Sequence, residues 1–287
     1  MESFFQALMV HTFMKNALLG GVLASIGCGI MGSYVVTKRI GYLAGGISHS
    51  ALGGIGVALF FGISPVAGAI GAAVTAALLI GWITLRWNQQ EDTLIGAIWA
   101  AGMAIGIIFI SQTPGYNVNM MSYLFGNILM VPEGELLAMV VMDLLLLITT
   151  LLFFRLFLAV TFDEEFARLR GVPVIPVYLL LLCMVAITVV LLIQVVGLIL
   201  VIALLTLPAA IASQYVHSLG RMMLLASGLV VLFTASGLAL AYEADLPAGA
   251  TIILTAAVCY LVSTLSMGLR RRHRTLGSAT YDRGGES

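Results

Sequence analysis

The sequence predicts an all-α, polytopic membrane protein, and three observations carry that prediction. Of its 287 residues 61% are hydrophobic and only 9% charged, against about 25% charged in a soluble domain, whose surface must be wetted. Mean hydropathy is +1.11. The apolar residues also fall in runs of about 20, the length a helix needs to cross the hydrocarbon core. The whole chain, 1–287, reads as one transmembrane domain with a short basic tail at 270–287, and it leaves no room for a separate soluble domain.

In chain order the runs place spans at about 14–36, 42–61, 65–85, 93–111, 136–157, 175–195, 197–216, 222–242 and 248–268. The first run, Ala17–Val36, is long enough to span and is followed by Lys38-Arg39, so it reads as a retained helix rather than a cleaved leader. No charge marks a loop in "LLIQVVGLILVIALLTLP", between the sixth and seventh runs, so eight spans is the alternative to nine. The stretch Tyr116–Asn127 is too short to span and reads as a surface or re-entrant helix.

Basic residues orient the bundle, because cytoplasmic loops collect Lys and Arg. With nine spans and the N-terminus outside, the inner side receives Lys38, Arg39, Arg86, Arg155, Arg168, Arg170, Arg221, Arg270, Arg271, Arg272, Arg274 and Arg283. Of the 13 Lys and Arg residues only Lys15 remains outside. The C-terminal "RRRHR" then serves as a cytoplasmic anchor rather than a nucleic-acid contact.

Small residues recur at four-residue spacing in the first span, at Gly20, Ala24, Cys28 and Gly32. The second carries Gly53, Gly54 and Gly56, the third Gly68, Ala72 and Ala76. Helices in lipid associate across such residues, so these positions predict buried seams. Cys28, Cys183 and Cys259 lie far apart inside apolar runs and read as packing residues, without a disulfide framework or a CxxC site.

Four segments depart from the apolar background. In "GYLAGGISHSALGGIGVALFFG" His49 lies between Ser48 and Ser50, well inside a span. An imidazole in the membrane marks a pathway and is a common transition-metal ligand, but it equally serves as glue between helices. "VTFDEEFARLRGVPVIP" is the sustained polar stretch: acids precede bases, as a short helix prefers, and Gly171, Pro173 and Pro176 end it. It reads as a cytoplasmic docking knob or as a hairpin on the lipid surface. Pro208, beside Thr206, predicts either a broken helix lining a cavity or a simple kink. Glu133, Glu135, Glu243 and Asp245 make the outer face negative, suited to cations or to a basic patch on a delivering protein.

Neither a GxxxxGK[ST] phosphate loop, nor HExxH, nor an arginine series within a span occurs. The chain therefore reads as no enzyme, with no catalytic residues. Carboxylates inside spans are nearly absent, Asp143 being the main exception and Asp92 lying at a helix start. Proton- or sodium-driven carriers use such groups near the bilayer centre, so a stand-alone carrier or channel is disfavoured and uphill transport would draw its energy from another polypeptide.

From Leu18 to about Met267 the chain resembles the permeases of bacterial and archaeal ABC importers for zinc, manganese or iron(II). The resemblance is carried, in order, by "GSYVVTKRIGYLAGGISHSALGG", "EDTLIGAIWAAGMAIGI", "MSYLFGNIL", "DEEFARLRGV", "VGLILVIALLTLPAAIA" and "DLPAGATIIL". It implies the helical fold of cobalamin-importer-like ABC permeases, in the cytoplasmic (inner) membrane with the C-terminus inside. Two copies, or a pair of related permeases, would share a pathway. Two cytosolic ATPases would supply the work of ATP hydrolysis, and a periplasmic or surface lipoprotein would deliver the ion. Asp163, Glu165, Ala167 and Gly171 match the coupling helix, and His49 matches the histidine that binds the ion. Many members have Asp where this chain has Gly45, and Asp where it has Asn119. A site of two His49 residues with Ser48 or water is then softer, and the transported ion expected is Zn2+ before Mn2+ or Fe2+. A metal chelate is the remaining cargo of the same architecture.

Overall fold

Backbone N–H and C=O groups cannot be left open to lipid, so apolar runs close them within helices, and every regular element among the described residues is helical. The computed structural model describes residues 4–87, 91–113 and 128–282, without the side chains of positions 5, 87, 91, 130, 133 and 270–282. The Tyr116–Asn127 stretch with Asn119, most of "MSYLFGNIL", the basic side chains from Arg270 to Arg274, and Arg283 lie outside the described residues.

The helices are α1 (Phe4–Val10), α2 (Thr12–Lys38), α3 (Gly41–Phe60), α4 (Pro65–Trp87), α5 (Glu91–Gln112), α6 (Glu133–Phe162), α7 (Glu164–Leu169), α8 (Val174–Val196), α9 (Leu198–Tyr215), α10 (Leu219–Ala244) and α11 (Ala248–Asp282). A 3-10 turn, Ile128–Met130, precedes α6. Among the described residues nine helices, α2 to α6 and α8 to α11, are long and apolar enough to cross a membrane. Nine rather than eight results from one residue. Gly197 takes φ 83°, a conformation L side chains avoid, and separates α8 from α9 without a charge or a loop.

The first span, α2, is the centre of the bundle, packed on α6, α8, α9 and α10. Its small residues are the seam: Gly20 faces Val195, Gly27 faces Thr188, Gly29 faces Ser227 and Gly32 faces the Leu205 carbonyl. Cys28 is buried there as a free thiol. α5 and α11, by contrast, bury few of their residues. α9 runs unbroken through Pro208, which is buried, and the Thr206 hydroxyl donates to the Ile202 carbonyl at 2.8 Å. The break considered there is absent, because neighbouring helices hold the turn that Pro208 weakens.

Candidate functional site

α3 is held between α4 and α5 by glycine contacts that fix its rotation. A β-carbon on Gly53 would fall 2.6 Å from the Gly102 carbonyl oxygen, and one on Gly56 2.5 Å from that of Gly106. This seam brings α5 against the middle of α3, where His49 lies half-buried. The imidazole stacks on the Trp99 ring with centroids 4.0 Å apart and planes 12° from parallel. Its Nδ1 is 3.4 Å from the Met103 sulfur. Tyr42 continues the row, its ring 5.8 Å from that of Trp99.

Stacking covers a face of the imidazole and leaves its edge, where the nitrogen lone pairs lie. His49 is thus oriented by an aromatic plane and accompanied by a thioether, a borderline nitrogen donor beside a soft sulfur donor. Gly45, one turn earlier, also faces Trp99, and a β-carbon there would sit 3.7 Å from the indole, an ordinary contact. Ser48 is committed elsewhere: it is buried and its hydroxyl donates to the Ala44 carbonyl at 2.7 Å. Among the described residues no three His, Cys, Asp or Glu side chains gather in one protomer. Trp99 and Met103 were not singled out by sequence. Their i, i+4 spacing on α5 is the signal that places them on one face.

The polar segment forms α7, between the end of α6 and the start of α8. Asp163 is its N-cap, accepting from the Phe166 N–H at 2.9 Å. At the other end Gly171 takes φ 76°, the Gly171 N–H bonds the Arg168 carbonyl and the Val172 N–H bonds the Ala167 carbonyl. That is the Schellman pattern. Ala167 is 1% exposed and anchors the helix inward. Of the four positions expected to couple, Asp163, Ala167 and Gly171 therefore build the helix, and Glu165 projects from it. Phe166 and Leu169 project beside it, 52% and 86% exposed, and the Arg170 guanidinium lies 5.1 Å from the Phe166 ring centre. Two apolar side chains presented outward on a charged helix are the surface that sequence reasoning missed.

Among the described residues nine membrane-length helices packed on glycine seams, with a histidine in a span and a capped polar helix at one end, form an arrangement that suits a transport permease. The family model described as the ABC 3 transport family matches residues 10–267. The "Probable metal transport system membrane protein" of Chlamydia pneumoniae is 41% identical over 278 residues, 95% of this chain and 92% of that one. The manganese transport system membrane protein MntC of Halalkalibacterium halodurans is 31% identical over 91% of this chain and 89% of its own length. Among solved structures, PsaBC from Streptococcus pneumoniae in complex with Fab superimposes with a TM-score of 0.78 at 31% identity, covering 91% of this chain and 94% of that one. The chain belongs to the ABC 3 transport family and is an ABC transporter permease.

Proposed function

We propose that this permease carries a divalent transition-metal ion inward through the membrane, with zinc as its cargo. The observation that carries the reading is His49, stacked on Trp99 with the Met103 sulfur beside its Nδ1. The donors are a borderline nitrogen and a soft sulfur, and the position one turn before His49 is Gly45 rather than a carboxylate, a composition that suits zinc over manganese. Metal as the cargo class is supported by the names of the Chlamydia and Halalkalibacterium relatives. Manganese is the second reading, favoured by the name of the latter. Two copies of the chain would each contribute a His49 to one ion, since a single copy offers too few ligands among its described residues. Cytosolic ATPases would dock on α7, and a lipoprotein outside would deliver the ion.

The test is uptake into proteoliposomes containing the permease, the ATPase and the delivery protein. Radiolabelled zinc should enter only with ATP and all three components. His49→Ala should reduce uptake to background while the complex still assembles. Met103→Leu, which keeps the volume and removes the sulfur, should lower zinc uptake roughly tenfold. Uptake by the permease alone would sink the reading. His49-dependent uptake in which manganese outcompetes zinc would assign manganese.

A further inference from the structure

The last residue of α2 joins four helices. The Lys38 ammonium pairs with Glu164, the first residue of α7. It also donates to the Val160 carbonyl in α6 at 2.9 Å and lies 5.3 Å from the centre of the Tyr178 ring in α8. The two paired side chains are 15% and 31% exposed, so the pair is largely withdrawn from water. Next to it is a polar cavity of about 520 Å³ lined by Thr84, Thr161, Arg168 and Tyr178. The Thr84 and Thr161 hydroxyls there have no hydrogen-bond partner among the described residues.

Lys38 also sits at the elbow into α3. Arg39 follows it with φ 62°, and the Arg39 and Ile40 N–H groups bond back to the Val36 and Val35 carbonyls. α3 begins at Gly41 and carries His49 two turns on. A displacement of α7 that moves Glu164 therefore pulls on the ammonium at the end of α2 and on the hinge that aims α3. The cavity lets this joint shift without steric overlap, which a packed apolar contact would not allow.

We infer that Lys38 is a positioning residue that transmits movement of α7 to the α2–α3 elbow, and so to His49. This rests on the reading of α7 as the ATPase-docking helix. A partly buried ion pair suits the role, because removing one partner strands the other's charge, whereas a fully exposed pair contributes little.

The experiment measures metal transported per ATP hydrolysed by the reconstituted complex, together with the ATPase rate and the amount assembled. Lys38→Met and Glu164→Gln should each keep assembly and hydrolysis but lower transport per ATP by roughly tenfold, within the range of couplings between linked sites. Lys38→Arg, which keeps charge and donors, should retain the ratio. The double reversal Lys38→Glu with Glu164→Lys should recover part of it, even where a single variant assembles poorly. An unchanged ratio, with transport and hydrolysis falling together in proportion to assembled protein, would overturn the inference in favour of a merely structural pair. Failure of the underlying reading would show separately: the wild-type chain would not co-purify with the ATPase, and both proposals would fall.

Discussion

Asp143 is an acidic side chain enclosed within a span. It lies on α6 with 3% exposure, and neither carboxyl oxygen has a hydrogen-bond partner among the described residues. Across from it is α2, where a β-carbon on Gly27 would sit 3.6 Å from Oδ1 and 3.0 Å from the Thr188 methyl of α8. An unpaired carboxylate in such surroundings costs several kcal/mol. Asp143→Leu replaces the carboxyl with an apolar side chain and leaves no polar atom unsatisfied, so the purified permease should unfold at a higher temperature, with about 1–3 kcal/mol gained. A lower unfolding temperature would mean that the carboxylate holds something the bundle needs. At this scale the sequence showed which polar residues stand inside spans, because composition alone separates Asp143 and His49 from their neighbours. It did not show what they touch. Met103 is 54 positions from His49, and the glycine contacts that bring the two together depend on how α3 and α5 are rotated, which local pattern does not encode.

In α7 the residues that shape the helix and those that meet a partner are separable. Asp163→Ala removes the N-cap and should loosen the helix by about 1 kcal/mol, weakening ATPase binding indirectly. Leu169→Asp alters a side chain that is 86% exposed, so stability should change by less than about 0.5 kcal/mol. Binding should fall by at least about tenfold, as for a buried apolar anchor at an interface. Affinity of the solubilised permease for its ATPase, with thermal unfolding as the control, distinguishes the two effects; unchanged affinity for Leu169→Asp would remove this face from the interface. The spans were legible because each is a long apolar run between polar or glycine breaks. α1 was not anticipated, since seven residues, six of them apolar, fall far short of a span. The inside and outside of α7 were not legible either. Six residues are too few to set a helical phase, and hydrophobicity points the wrong way: Leu169 faces out and Ala167 faces in.

The whole bundle has two distinguishable ends. Thr37, Thr84, Thr161, Glu164 and Tyr178 surround one cavity, so the ends of α2, α4 and α6 and the start of α8 share a face. α10 runs antiparallel to α2, since Gly21 meets Thr234 and Gly29 meets Ser227, and Thr37 reaches Met222 at 3.7 Å. Arg221 therefore joins Lys38, Arg39, Arg86, Arg168 and Arg170 at that face, while Asp245 and Leu246, beyond the far end of α10, lie at the opposite one. Cytoplasmic loops are the ones that gather basic residues, so the orientation expected from them would put α7 where a cytosolic ATPase could reach it. The check is cysteine labelling with a membrane-impermeant maleimide, in a chain whose Cys28, Cys183 and Cys259 are replaced by Ala. Leu169→Cys should react only when the cytosolic side is opened. Leu246→Cys, at a residue 55% exposed, should react in intact cells. The reverse pattern would place α7 outside, where no ATPase could bind it, and the Lys38–Glu164 joint would then have nothing to transmit.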